Sequence, residues 1–285
     1  MRDVLVARST SAATASPGSR RSSTVVPGRS SWPVIVRLAW AEARWLLRHP
    51  LTLAGLCFVG FALFVNSNAS GGSAFTDLTG GGAPGLWLPP VVFFAANLGA
   101  TRSRRDGVDE LHGAAPVARA ARTAALCGAG LPLATAALGL VVAVSTYRGL
   151  VGQPRSIVPT PAELLLLPLS VLGAVTLGVM VARWLPWRAA PVGVFIALVA
   201  VSIALSDGAS SWWGSYVELV EWKDHELTDI RMAGSAAWHA AYLLGLSTMA
   251  VIGALLRDLS HRRSLWCLGA VVTLLTAGAG WAQLP

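Results

Sequence analysis

The sequence predicts an all-α polytopic membrane protein with about seven transmembrane helices, preceded by an amphipathic helix. Hydrophobic residues make up 54% of the 285 residues and charged residues only 13%, whereas soluble domains carry about 25% charged residues. The mean hydropathy is +0.59. The hydrophobic residues are also grouped into runs, several of them close to the roughly 20 residues that cross a bilayer as a helix. This composition leaves little polar chain for a soluble catalytic domain and excludes an intrinsically disordered protein.

The first 49 residues precede the apolar runs and divide into two parts. Residues 1–33 are rich in Ser, Thr, Ala and Arg and predict a disordered cytoplasmic tail. Residues 34–49 predict an amphipathic helix in which Arg37, Arg44 and Arg48 share one face. Since its tryptophan and leucine side chains point largely elsewhere, we expect this helix to lie in the membrane interface.

The predicted transmembrane domain covers residues 50–285. Two of its runs, the second and the fifth, are short for a bilayer of about 30 Å. Pro132 and Pro168 lie inside the third and fourth runs, where neighbouring helices can tolerate a kink. The seven runs are 50–67, 85–100, 123–146, 164–182, 190–206, 236–256 and 265–283.

The distribution of arginines predicts how these spans are oriented. With a cytoplasmic N-terminus, the inside segments hold 18 of the 22 basic residues but only 6 of the 14 acidic ones. An excess of basic, not acidic, residues marks cytoplasmic loops. We therefore expect a multi-pass plasma-membrane protein whose C-terminus lies outside. The inside segments are 1–49, 101–122, 183–189 and 257–264.

Motif searches mostly exclude chemistry within this chain. Lys223 is the only lysine and follows Trp222, so the chain lacks the Gly-Lys pair of a Walker A loop and any ATP must be bound by another chain. There is no H-E-x-x-H, G-x-S-x-G or C-x-x-C motif. We expect no cofactor and no metal site. Because the arginines stand between apolar runs, they predict cytoplasmic loops and not a nucleic-acid surface.

Polar residues near the predicted outer surface offer few functional groups. No charged residue lies centrally in a run, which weighs against a proton-coupled transporter built on buried carboxylates. His239 lies near the outer end of a run and is either a functional group or an interfacial residue. The outer loop 207–235 is acidic and contains several aromatic residues, which predict either a surface helix at headgroup level or a lid over a substrate path.

The cytoplasmic loop 101–122 is much longer than a connector needs to be. Gly113 could end one turn and Pro116 could start the next helix. The order of charges predicts either a short docking helix across the membrane face or a solvated loop whose arginines only fix topology. Its middle holds Asp109, Glu110, Leu111 and His112.

Two stretches of sequence resemble a known family. The first is Arg104-Arg105-Asp106-Gly107, followed by Glu110-Leu111-His112-Gly113, Pro116-Val117 and Arg119-Ala120-Ala121-Arg122-Thr123-Ala124-Ala125; the second is Arg37-Leu38-Ala39-Trp40, followed by Glu42-Ala43-Arg44 and Arg48-His49-Pro50. Both resemble the membrane subunits of ATP-binding-cassette exporters, the ABC-2 type permeases, especially those of actinobacteria. The usual member of that family has six spans, so the run 265–283 would be an additional one.

The resemblance implies a division of labour between subunits. A separate cytoplasmic ATP-binding subunit would hydrolyse ATP, and this chain would have no enzyme activity of its own. The loop residues Asp109, Glu110, Leu111 and His112 would form the coupling helix that docks on that subunit. A second permease subunit, identical or related, would complete the substrate path among the membrane lipids.

Two alternative functions remain open from the residues alone. A polytopic membrane enzyme acting on lipid or glycan substrates would need surface acids, for which Asp224 and Glu226 in the outer loop are the candidates. A membrane sensor or anchoring protein would depend on the basic N-terminal tail, so that deletion of residues 1–30 would abolish its function.

Overall fold

The structure, a computed structural model, describes residues 32–68, 83–107, 117–150, 160–204, 235–257 and 262–283. In these ranges the chain forms nine α-helices and no strand. They are α1 (Trp32–Arg48), α2 (Pro50–Asn68), α3 (Ala83–Arg105), α4 (Arg119–Gly128), α5 (Gly130–Leu150), α6 (Pro161–Trp184), α7 (Ala190–Ala204), α8 (Ala236–Leu256) and α9 (Arg262–Ala282).

Helix α6 is the centre of the described bundle. It packs mainly against α3, α5 and α8, while α2 packs on α3, α9 on α8 and α1 on α4. The first turn of α6 is fixed by a capping box, in which the Glu163 amide donates to Thr160 Oγ1 at 3.4 Å and the Thr160 amide donates to Glu163 Oε2 at 2.5 Å. A buried, capped and apolar helix of this length suits the middle of a membrane bundle.

Helices α3, α6 and α8 run in the same direction. Asn97 Nδ2 of α3 donates to the carbonyl oxygen of Gly178 in α6 at 3.1 Å, and Trp184 Nε1 at the end of α6 donates to the carbonyl oxygen of Gly253 in α8 at 2.8 Å. The C-terminal ends of these three helices therefore lie together. We call this end of the bundle, which carries Arg102, Arg183 and Arg257, the arginine end.

Glycines allow the helices to approach closely where these pairs cross. A Cβ on Gly178 would stand 2.6 Å from the carbonyl oxygen of Phe93, and a Cβ on Gly245 would collide with the hydroxyl of Thr276 in α9. In a bilayer, helix association depends on this kind of close packing, because lipid tails are as apolar as the side chains. The α3–α6 and α8–α9 contacts therefore require glycine at these positions.

The outer surface of the bundle is apolar. On α9, the side chains of Leu268, Val271 and Leu275 recur at helical spacing and are at least half exposed, and α7 exposes Val192 and Ile196 in the same way. A soluble monomer rarely exposes continuous apolar surface of this extent. These helices fit a protein embedded in a membrane.

Four helical stretches in the described residues are long and apolar enough to cross a membrane, namely Arg119–Ala143, Pro161–Trp184, Ala236–Leu256 and Arg263–Ala282. Helices α2 and α7 contain shorter apolar stretches, Pro50–Phe61 and Ala190–Val201. Helix α3 ends in three arginines, Arg102, Arg104 and Arg105, which shorten its apolar part. The predicted all-helical class is confirmed for the described residues. Six of the predicted runs each correspond to one helix and the third corresponds to two, but a total of seven spans stays a prediction.

The third predicted run differs from one straight helix. It is divided between α4 and α5 by a turn at Ala129. Pro132 lies three residues further on, has no amide proton and cannot donate to the carbonyl of Gly128. The break is slight, since Ala129 keeps α-helical backbone angles, φ −63° and ψ −18°, and its amide donates to the carbonyl of Ala125 at 2.9 Å. Pro168, in contrast, lies inside an unbroken α6.

Candidate functional site

The predicted coupling residues Asp109, Glu110, Leu111 and His112 lie outside the described residues. What the structure describes is where the chain leaves α3 and where it enters α4. Helix α3 ends at Arg105 and is followed by Gly107 at φ +68°, a left-handed conformation that glycine adopts without the strain of a Cβ. The amide of Gly107 donates to the carbonyl of Arg104 at 3.3 Å. The helix therefore ends at Arg105 and the chain turns at Gly107, while Gly113, predicted to end a turn within the loop, lies outside the described residues.

Helix α4 also begins later than a start at Pro116 would require. Val117 and Ala118 are not helical, and Ala118 has the extended angles φ −56° and ψ 143°. The first helical residue is Arg119. Because Ala118 has no side-chain oxygen to cap the helix, the first amides of α4 receive no capping bond from this residue.

The amphipathic helix α1 packs beside these two helix ends. Glu42 Oε1 accepts a hydrogen bond from Arg102 Nη2 at 2.5 Å, which joins α1 to α3 by an ion pair. The guanidinium of Arg102 also lies 5.3 Å from the ring centroid of Trp45. A Cβ on Gly99 would stand only 2.7 Å from that ring, so Trp45 fits over α3 because residue 99 is glycine.

Burial and pairing act on the carboxyl of Glu42 in opposite directions. Removal from water raises its pKa above the ordinary value of 4.5, and the nearby charge and hydrogen bond of Arg102 lower it by less. The other carboxyl oxygen, Oε2, is buried and has no hydrogen-bond partner in the described residues. The ion pair therefore positions α1 on α3 at an electrostatic cost.

The remaining faces of α1 agree with the sequence pattern. Arg37, Arg44 and Arg48 are exposed, whereas Leu46 is buried. An outward stripe of large apolar residues, Trp32, Val36 and Trp40, stands at i, i+4 and i+8 and is about half exposed or more. Exposed tryptophan and arginine on one helix fit the predicted location in the membrane interface.

A partly open cavity of about 310 Å³ lies where α1, α3, α4 and α6 meet at the arginine end. Its apolar walls include Leu38 and Leu126, and its polar walls are almost entirely basic. One carboxylate, that of Glu42, faces it from the described residues. The basic lining residues are Arg102, Arg104, Arg119, Arg122 and Arg183. This cavity therefore brings five arginines and one carboxylate of the described residues together.

The opposite end of the bundle holds a buried polar pair. His239 Nδ1 of α8 and Gln283 Oε1, just after α9, are 2.7 Å apart, and both residues are almost fully buried. The amide of Ser235 donates to the carbonyl of Gln283 at 3.3 Å. His239 is therefore enclosed by protein, and its contact with Gln283 indicates a structural tie between α8 and α9.

Other kinds of site have less support in the described residues. Those residues contain no group of three His, Cys, Asp or Glu side chains that could hold a metal ion. Cys57, Cys127 and Cys267 form no disulfide among the described residues, and Cys127 is buried. The acidic outer loop 207–235, with Asp224 and Glu226, lies almost wholly outside the described residues.

Comparison with known proteins adds no further assignment. No protein-family model, no curated protein and no solved structure gives a significant match to this chain. The candidate site therefore depends on its own residues.

Two parts of this site were not predicted from the sequence. Arg183 belongs to a different predicted loop from the other arginines, and Glu42 was noted only as part of a sequence stretch. Because α3 and α6 run in the same direction, Arg183 and Arg102 lie at the same end of the bundle and line the same cavity. Both arginines belong to predicted inside segments, so the sequence already placed them on the same side of the membrane. This assignment could have predicted that they lie near each other.

Proposed function

We propose that this chain is the permease subunit of an ATP-binding-cassette exporter of the ABC-2 type. In this proposal a separate cytoplasmic subunit binds and hydrolyses ATP, and a second permease subunit completes the substrate path across the plasma membrane. The observation that carries the proposal is the attachment of the loop 108–116. Its two ends, at Gly107 and Val117, lie beside the contact between α1 and α3.

This attachment suits a loop that passes on a force. A push on the loop would act on α3 directly through Gly107, and α3 is joined to α1 by the Glu42–Arg102 pair. Further along, α3 is joined to the central helix α6 by the Asn97–Gly178 hydrogen bond. Packed helices move as rigid bodies, so a displacement at the loop would reach the middle of the bundle.

The sequence supplies the second argument. No Walker A motif exists anywhere in the 285 residues, while the resemblance of the loop and of α1 to ABC-2 permeases calls for a partner that has one. The apolar exterior of α7 and α9 fits a subunit that works inside the bilayer. Each of these features is expected of a permease that leaves ATP hydrolysis to another chain.

The experiment is a pull-down of the tagged full-length chain in a gentle detergent from its native host. The copurified proteins are identified by mass spectrometry, and the expected partner contains G-x-x-x-x-G-K-[ST]. The variant Glu110→Lys with Leu111→Arg should release that partner, because it reverses a charge and places a second charge in the predicted docking helix.

A matched control is available at the same end of the bundle. Leu185→Arg with Arg188→Glu makes the same kinds of change in the exposed connection between α6 and α7 and should leave the partner bound. A stable preparation without any ATPase, or an ATPase that both variants release equally, would contradict the proposal. Asp224→Ala and Glu226→Ala would then test the membrane-enzyme alternative.

A further inference from the structure

The cavity at the arginine end has a lining that the proposed coupling function does not use. Arg102, Arg104, Arg119, Arg122 and Arg183 converge on about 310 Å³ of space, opposed among the described residues by Glu42 alone. Arg102 forms an ion pair with Glu42, and Arg104, Arg122 and Arg183 also make contacts of their own. The excess of positive charge at one concave surface, and not any unpaired side chain, is therefore the feature to explain.

The shape of the lining favours a phosphate group as the ligand. Guanidinium groups present two parallel N–H donors and match the oxygens of phosphate and carboxylate. Helix α4 also begins at the cavity with Arg119, so the positive end of its dipole and its first amides add to the same field. The volume is sufficient for a small polar headgroup.

The surroundings indicate a lipid as the source of that phosphate. Leu38 and Leu126 stand among the arginines, and the arginine end exposes Trp184 and Trp187. Tryptophan collects at the level of lipid headgroups, and basic pockets between membrane helices bind anionic lipid headgroups. The neighbouring α1 carries Trp40 and Trp32 on its exposed side, as an interfacial helix does.

We propose that the arginine-lined cavity between α1, α3, α4 and α6 binds the phosphate headgroup of an anionic membrane lipid. Leu38 and Leu126 contact the upper part of its acyl chains. The bound headgroup neutralises the excess charge and joins the interfacial helix to the ends of α3 and α4. This binding requires neither ATP nor a partner subunit, so it holds whether or not the chain is an exporter permease.

The test measures lipid binding to the purified full-length chain in neutral detergent by native mass spectrometry. Phosphatidylglycerol is compared with phosphatidylcholine of the same acyl chains, and inorganic phosphate is added as a soluble competitor. The wild-type chain should retain phosphatidylglycerol in preference to phosphatidylcholine. Arg104→Gln with Arg119→Gln, both exposed on the cavity wall, should weaken phosphatidylglycerol binding about 25-fold, since each basic residue contributes about a factor of five.

The control removes the same charge at the same end but outside the cavity. Arg188→Gln with Arg263→Gln, both exposed, should change the affinity by about threefold or less, because these residues act only through the general surface potential. Ser103→Glu, also on the cavity wall, is a second variant for the case that the double variant does not fold. Its carboxylate would occupy the phosphate position and should reduce lipid retention as strongly.

Three results would overturn the proposal. If the cavity variant and the control weaken phosphatidylglycerol binding equally, the lipid is attracted to the general surface charge and not to the cavity. Equal retention of phosphatidylcholine and phosphatidylglycerol by the wild-type chain would exclude recognition of an anionic headgroup. Displacement of the lipid by inorganic phosphate at an equal concentration would identify a soluble phosphate compound, and not a lipid, as the ligand.

Discussion

At the scale of single residues, the most informative group is the carboxyl of Glu42. It is partly buried, it binds Arg102, and its pKa is nevertheless raised because the loss of water outweighs the attraction of the guanidinium. Its partner could not be predicted, because 60 positions of sequence separate the two residues. The arginines of the amphipathic pattern are exposed in α1, but no pattern within one helix indicates the residue it meets on another.

The raised pKa of Glu42 predicts a dependence of stability on pH. The folded chain binds a proton at Glu42 more tightly than the unfolded chain does. The contribution of this protonated carboxyl to the stability of the fold is fully present below the unfolded-chain pKa of about 4.5. It is lost as pH rises through the pKa of the folded chain. The thermal unfolding midpoint in mild detergent should therefore decrease as pH rises through the mildly acidic range. The Glu42→Gln variant should lack the part of this decrease that comes from ionisation of Glu42.

Asp106→Asn is the control for this measurement, since Asp106 is exposed at the end of α3. It should leave the fall with pH in place. If the Glu42→Gln variant keeps the same pH dependence of the unfolding midpoint as the wild-type chain, burial does not raise the pKa of the Glu42 carboxyl.

Gly178 gives a second prediction at this scale. Gly178→Ala places a Cβ 2.6 Å from the backbone oxygen of Phe93, and backbone in a packed helix cannot move away cheaply. Overpacking of this kind costs about 1–3 kcal/mol, so the unfolding midpoint should decrease. Gly139→Ala meets nothing within 4 Å and should leave the midpoint unchanged or raise it by its better helix propensity. An equal response of both variants would show that the α3–α6 contact is looser than described.

At the scale of elements, each apolar run predicted a helix, but the contacts between helices were only partly predictable. Small residues four positions apart allow helices to approach closely, and the sequence has examples in Ala241-x-x-x-Gly245 and Thr135-x-x-x-Gly139. The motif Ala241-x-x-x-Gly245 lies at a helix contact, because Gly245 meets Thr276 of α9. The motif Thr135-x-x-x-Gly139 does not, since Gly139 has open space beside it. Spacing shows that two helices could approach closely, and only the fold determines whether a partner is present.

Helix α9 depends on this contact, because α8 is its main neighbour in the described bundle. Gly245→Val should therefore loosen α9 from α8 and leave the α3–α6 core in place. Hydrogen exchange followed by mass spectrometry should show faster exchange in α9 and at the facing part of α8, with no change in α6. Gly278→Val, at an exposed position with nothing within 4 Å, is the matched control. Uniformly faster exchange across the bundle would contradict the independence of α9.

At the scale of the whole molecule, the sequence predicted the class and the grouping of the arginines, and the described residues agree with both. The described parts of the predicted inside segments 101–122, 183–189 and 257–264 lie at one end because α3, α6 and α8 run in the same direction. The central position of α6 was not predictable, since its composition resembles that of the other apolar runs. The cavity among the arginines also follows from packing, and its phosphate ligand is a proposal from that geometry.

The central claim is that the arginine end faces the cytoplasm, where an ATPase could reach the loop 108–116. Labelling of single cysteines with a membrane-impermeant reagent in intact cells and in inverted vesicles tests it most directly. The background is a chain with Cys57, Cys127 and Cys267 replaced by alanine. One variant, Arg188→Cys, places its cysteine at the arginine end. The other, Leu150→Cys, places it at the opposite end, where Leu150 is 81% exposed.

The account predicts that Arg188→Cys reacts only in inverted vesicles and Leu150→Cys only in intact cells. The opposite pattern would place the loop 108–116 outside the cell, beyond reach of any cytoplasmic ATPase, and would contradict the permease proposal.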